Sequence, residues 1–253
     1  MESGEGPRVK IKKGRFEMCD NIFELAQNRG LPEGFDQWDL ADNKGRTVAH
    51  FAAENGHLPA DFNQWEMADE NGWTVAHMSA LRGNLPQGFN QWALADNKGR
   101  TVAHISMLHG YNGYCLPADF NQWDLADNKG RTVAHEAINW GFLPEDFNQW
   151  NLADENGWTV AHEAAKIGNL PESFNQWEMA DENGWSVAHE AIKRRPIKGF
   201  NRWEMADKNG TTVAHVAAVC GRIPADFDQW ELADNNGRTV RQLFEQFYTI
   251  EEA

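Results

Sequence analysis

Seven histidines are the residues best placed to do chemistry: His50, His77, His104, His135, His162, His189 and His215, each preceded by Val-Ala. Imidazole ligates metals and moves protons near neutral pH. A row of carboxylates accompanies them: Asp42, Asp69, Asp96, Asp127, Asp154, Asp181, Asp207 and Asp234. Either row would need to converge on one point to act. Zinc ligands must each sit within about 2.1 Å of the ion. Copies on successive structural units stand about 10 Å apart, one helix diameter. His135-Glu136 and His162-Glu163 lack the second His of H-E-x-x-H. A calcium loop needs several oxygen ligands within a dozen residues ending in Glu, and the Asp spacing fails that test. There is no Gly-rich phosphate loop, nucleophile elbow or paired-carboxylate motif. The chain is therefore expected to be non-enzymatic and to use no metal or cofactor. Each Asp is expected to accept the amides of its own turn.

Behind both rows lies a unit close to L-P-x-x-F-N-Q-W-x-x-A-D-x-x-G-x-T-V-A-H-x-A-x-x-x-G-x. Its Phe falls at Phe35, Phe62, Phe89, Phe120, Phe147, Phe174, Phe200 and Phe227, at intervals of 27, 27, 31, 27, 27, 26 and 27 residues. A fixed period of this size predicts a solenoid of stacked small units in place of a domain around one central pocket.

In one unit, Thr159 is placed to cap a helix that begins Val160-Ala161-His162 and stops at Gly168. Leu170-Pro171 then predicts a second, very short helix, with Pro at its first position and Glu172 near its positive end. Phe174 and Trp177, three apart, would share a face of it. Ala180 to Gly184 reads as an exposed turn. No unit can bury its own aromatics, so stacking must do it, at roughly 2–3 kcal/mol for each large ring. Phe62, Trp65, Phe147 and Trp150 are expected to be structural.

The text D-x-x-G-x-T-V-A-H-x-A-A-x-x-G resembles the ankyrin repeat, which carries G-x-T-P-L-H-x-A-A-x-x-G. Asp42, Gly45, Thr47 and His50 match in the first unit, as do Asp207, Gly210, Thr212 and His215 in a late one. The likeness covers roughly residues 31 to 240. It implies an all-α solenoid of about eight short helix-turn-helix units. It also implies that His77, His162 and their equivalents are structural, bonded to backbone and to the Thr. Val-Ala replaces Pro-Leu throughout, and the period is 27 where ankyrins have about 33, so the second helix must shrink.

Residues 1–15 form a basic arm with Arg8, Lys10, Lys12, Lys13 and Arg15, expected to be a solvated flexible tail. Residues 16–30 read as an N-terminal capping helix, 31–238 as the array, and 239–253 as a C-terminal capping helix; such stacks need caps because bare ends expose core. Net charge is −15, which disfavours nucleic acid and anionic membranes as partners. No stretch approaches the roughly 18 apolar residues of a membrane span. Cys19, Cys115 and Cys220 are scattered and form no CxxC pair, as in a reducing compartment. The expected location is cytoplasmic, with secretion by a signal-less route left open.

Recognition is expected where the period varies. The residue after the turn Gly runs Arg46, Trp73, Arg100, Arg131, Trp158, Trp185, Thr211 and Arg238. Trp and Arg are enriched at interface hot spots. The competing account is cation–π stacking between adjacent units. The residue after the His runs Phe51, Met78, Ile105, Glu136, Glu163, Glu190 and Val216, apolar first and acidic later. It faces either the inner surface or a neighbouring helix. The insertion 109–115 carries Tyr111 and Tyr114, as a binding loop or a neutral addition. The expected function is a protein–protein interaction scaffold, adaptor or inhibitor, monomeric or weakly self-associating, that grips another protein through turn tips and the inner helix face. Near-identical units associate it with bacterial or phage host conflict. The alternative is an acidic nucleic-acid mimic that occupies a DNA-binding protein. Against it, fifteen net charges over eight units of about 10 Å fall short of duplex DNA, with a charge every 1.7 Å or so.

Overall fold

The structure is a computed structural model describing residues 21–28, 30–108 and 116–248. The basic arm 1–15, residues 16–20, the Tyr111/Tyr114 insertion and residues 249–253 lie outside the described residues.

Each repeat starts from its Asp. Asp154 Oδ1 accepts the N–H groups of Asn156 and Trp158, both at 2.9 Å. This closes a tight loop in which Gly157 takes φ 76°, a conformation that glycine adopts without a Cβ penalty. An isolated antiparallel bridge, Ala153 to Thr159, clasps its base. Thr159 then caps the helix: its hydroxyl accepts the N–H of His162 at 3.3 Å, while His162 Nδ1 accepts the N–H of Thr159 at 3.1 Å. This is a capping box with His in the place usually held by Glu or Gln. The helix ends at Gly168, φ 86°, whose N–H returns to the carbonyls of Ala164 and Ala165.

Nine helices occur among the described residues: α1 (Asn21–Asn28), α2 (Val48–Glu54), α3 (Val75–Arg82), α4 (Val102–Leu108), α5 (Val133–Trp140), α6 (Val160–Ile167), α7 (Val187–Ile192), α8 (Val213–Val219) and α9 (Val240–Phe247). The chain is thus all-α and repetitive. It divides into two compact units, Met1–Asn97 with α1 to α3 and Lys98–Ala253 with α4 to α9. None of these helices is long and apolar enough to cross a membrane.

The second helix of each repeat does not form. Pro-x-x-Phe makes one turn, Phe174 N–H to Pro171 carbonyl at 3.0 Å, and the next residues make another, Met179 N–H to Gln176 carbonyl at 3.4 Å. Nucleating a helix fixes several residues for one bond, and this segment is too short to recover that cost. Phe and Trp therefore sit on successive turns and not on one helix face. They meet edge to face: Phe62–Trp65 at 5.0 Å and Phe147–Trp150 at 5.1 Å between centroids.

The rings also reach the next repeat. In the first unit the relay runs Phe35, Trp38, Phe62, Trp65, Phe89 and Trp92, with steps of 5.0 and 5.6 Å. In the second it runs Phe120, Trp123, Phe147, Trp150, Phe174 and Trp177, with steps of 5.0 to 6.3 Å. Edge-to-face pairs add about 0.5–1.5 kcal/mol each beyond burial. Behind them, the Val and first Ala of each TVAH helix are fully buried, as at Val160 and Ala161.

Candidate interaction surface

The hairpin loops stack by backbone bonds within each unit. Glu155 N–H donates to Lys129 carbonyl at 2.8 Å, and Glu182 N–H to Asn156 carbonyl at 2.8 Å. In the first unit Glu70 N–H reaches Lys44 carbonyl at 3.1 Å. The variable residues ride on this ribbon at fixed intervals.

The histidines lock one repeat to the next. His162 Nδ1 also meets the Thr159 hydroxyl at 2.8 Å, and its Nε2 lies 2.9 Å from the carbonyl of Trp185. His135 does the same to Trp158 carbonyl at 3.0 Å, and His50 to Trp73 carbonyl at 2.9 Å. His77 Nδ1 sits 2.7 Å from the Thr74 hydroxyl. The geometry assigns the neutral Nε2–H tautomer, with Nδ1 as acceptor. Burial pushes His50, His104, His135, His162 and His189 below the usual imidazole range, against an upward pull from the carbonyl each Nε2 faces. Both ring nitrogens are thus engaged where both contacts are given, as at His50, His135 and His162. No group of three or more His, Cys, Asp or Glu among the described residues is arranged to hold a metal.

The two variable rows meet in four repeats, where the residue after the turn Gly touches the residue after the His, five positions on. Arg131 Nε pairs with Glu136 Oε1 at 3.1 Å. Trp158 Nε1 donates to Glu163 Oε2 at 2.9 Å, and Trp185 Nε1 to Glu190 Oε2 at 3.1 Å. In the first unit, Arg46 lies 4.5 Å over the Phe51 ring while holding Asp42 at 2.8 Å.

The tryptophans are half-buried, because each indole lies against its own histidine: Trp73–His77 at 5.1 Å, Trp158–His162 and Trp185–His189 at 4.8 Å. Met78 is half-buried on α3 and offers no carboxylate to Trp73. Phe51 packs on Phe23 of α1 at 5.0 Å, so this apolar member faces a neighbouring helix. Arg100 holds the same hairpin position in its repeat and is half-buried.

Two lysines complete the arrangement and were not singled out above. Lys166 Nζ reaches Glu163 at 3.5 Å and Lys193 Nζ reaches Glu190 at 2.8 Å. Lys193 also lies 5.4 Å over the Trp185 ring. The signal was present in the sequence as Glu-x-x-Lys on one helix face. At α6 and again at α7, an indole just before the helix, a buried carboxylate on it and an ammonium near its end form one trio.

No protein-family model matches this chain, and no curated protein matches it. Among solved structures it is similar to the crystal structure of the ankyrin repeat domain of Bcl-3, described as a unique member of the IkappaB protein family. That likeness has 16% sequence identity and a TM-score of 0.44, and covers 78% of this chain and 86% of the other.

Proposed function

We propose that this chain is a non-enzymatic protein-binding scaffold, and that the coupled rows form its binding surface: Arg131 with Glu136, Trp158 with Glu163 and Trp185 with Glu190. The observation that carries the reading is the fixing of both indoles. Glu163 and Glu190 are buried and hold the Trp N–H groups. A partly exposed indole already held in one rotamer loses little entropy when a partner closes over it. Trp and Arg are also the side chains that most often dominate an interface. The backbone below them is uniform, so differences among repeats are expressed as a pattern of indole, guanidinium and carboxylate. A role in host conflict fits this reading through the near-identity of the repeats alone. The nucleic-acid mimic is less well supported, because Glu136, Glu163 and Glu190 are each engaged by a cation or an indole.

The test uses a substitution the scaffold already tolerates. Trp158→Arg with Trp185→Arg recreates the Arg–Glu pair found at Arg131 and Glu136. Partners captured from the native host by the wild-type chain and identified by mass spectrometry should be lost by this variant while its melting changes little. Undiminished capture rejects the surface. Capture competed away by duplex DNA moves the reading to the mimic.

A further inference from the structure

One repeat differs from the others at the far end of its helix. From the last turn of α6 the chain reads Lys166-Ile-Gly-Asn-Leu-Pro-Glu-Ser-Phe174; from the end of α7 it reads Lys193-Arg-Arg-Pro-Ile-Lys-Gly-Phe200, one residue shorter. The left-handed glycine that ends α6 is gone, and Lys193 ends α7 in right-handed geometry. The Phe turn survives, Phe200 N–H to Ile197 carbonyl at 3.2 Å, with Ile197 where other repeats place Pro. Among the described residues, no ring pair joins Trp177 to Phe200, and the relay resumes at Phe200–Trp203. A cavity of about 370 Å³ opens where the relay lapses. Leu170, Phe174, Trp177 and Ile197 form its apolar wall.

Its rim carries Arg194, Arg195 and Lys198 against the single carboxylate of Glu172, a cationic excess in a chain of net charge −15. Residues 193–202 hold Lys193, Arg194, Arg195, Lys198 and Arg202 and no acid. Glu190 takes Lys193 and Glu178 takes Arg202. Arg194 and Arg195 donate only to carbonyls, those of Lys166 at 2.6 Å and Leu170 at 3.5 Å. Among the described residues no carboxylate lies within ion-pair distance of Arg194, Arg195 or Lys198, and all three are exposed.

We infer that this cleft is a second binding site, separate from the hairpin row, for an acidic peptide segment of a partner that inserts one bulky apolar side chain. The volume lies within the range of ligand pockets, about 300–1,000 Å³. The free cations match flanking carboxylates, and their number is small for a nucleic acid, which gains affinity mainly from many phosphate contacts. The apolar wall of Leu170, Phe174, Trp177 and Ile197 also favours an aliphatic or aromatic anchor over a sugar-phosphate chain.

The probe is a fluorescein-labelled peptide of about ten residues, Asp and Glu around a central Leu-Phe, followed by anisotropy on the full chain. Saturable binding is expected, weakening with salt. It should weaken by about tenfold or more in Arg194→Glu/Arg195→Glu/Lys198→Glu and by a similar factor when Leu-Phe becomes Gly-Ser. Circular dichroism should show the triple variant folded, since the three side chains are exposed. Trp158→Arg alone, in the preceding repeat, should bind the peptide like wild type, so that loss of the hairpin surface and loss of the cleft are read separately. The inference is overturned by no saturable binding, by equal affinity in the triple variant, or by a Lys-substituted peptide binding as well. Tighter binding of a single-stranded oligonucleotide at these residues overturns it too. So does self-association in sedimentation that the triple variant abolishes, which would make a second copy the occupant.

Discussion

His162 Nε2 lies 2.9 Å from the carbonyl oxygen of Trp185, 23 residues ahead in the chain. One imidazole therefore closes the cap of its own helix and fastens the next hairpin. In the repeat that ends in α9, Gln242 holds the His position. Its Oε1 accepts the N–H of Thr239 at 3.0 Å, and its own N–H donates to the Thr239 hydroxyl at 3.2 Å. Glutamine thus completes the cap without reaching forward.

That natural variant separates the two roles. His162→Gln should keep the cap and lose the forward bond, costing about 1–3 kcal/mol for the buried carbonyl left without its donor. His162→Ala should lose both and cost about 1 kcal/mol more. Urea denaturation of the two variants measures the difference. Equal losses would mean that the cap contributes nothing.

Acid should weaken the fold before the carboxylates titrate. Five histidines are held below their ordinary value of 6.5 in the folded chain. Unfolded, they bind protons at that value; folded, they resist. Their contribution is complete above pH 6.5 and is lost as pH falls below it toward the depressed folded values. Urea midpoints should fall steadily from about pH 7 to 5.5, above the range where Asp and Glu protonate. A flat profile over that window would contradict the buried neutral state.

Two glycines with nearly the same backbone test the stacking of hairpins. Gly130 has φ 74° and Gly141 has φ 73°. A Cβ on Gly130 would stand 2.9 Å from the Glu155 nitrogen, while one on Gly141 meets nothing within 4 Å. Gly141→Ala should cost only the left-handed penalty, about 1–2 kcal/mol. Gly130→Ala should cost more, because the neighbouring hairpin must move. Thermal melts of both variants make the comparison, and equal losses would show that the hairpins yield freely.

The aromatic relay should be the costliest place to cut. Phe147 lies edge to face with Trp123 at 6.3 Å and Trp150 at 5.1 Å. Phe147→Ala should destabilise by about 3–5 kcal/mol, measured by urea unfolding. A loss under 1 kcal/mol would mean that the ladder relaxes around the hole.

What the sequence disclosed follows the range of each interaction. The Asp loop, the Thr cap and its His partner span two to four residues, and their chemistry is readable from residue type and spacing. The Phe–Trp segment misled because a spacing of three suits one helical face and two successive turns alike. The pairing of Trp158 with Glu163 was hidden for a different reason. Five residues separate them across a hairpin and a helix start, and only the bend between the two brings indole to carboxylate. The cleft beside Ile197 looked like a one-residue deletion, because loss of a ring contact leaves no mark in the letters.

The forward bonds from His50, His104, His135, His162, His189 and His215 give the repeats within each unit a direction. Within each unit a repeat offers one donor at its helix and one acceptor at its hairpin, like a link with a hook and an eye. Copying or removing a whole internal link leaves every hook matched to an eye, so the array can change length without an orphaned polar group. Changing part of a link cannot do this. A chain built this way is free to vary its number of repeats, provided it varies them whole.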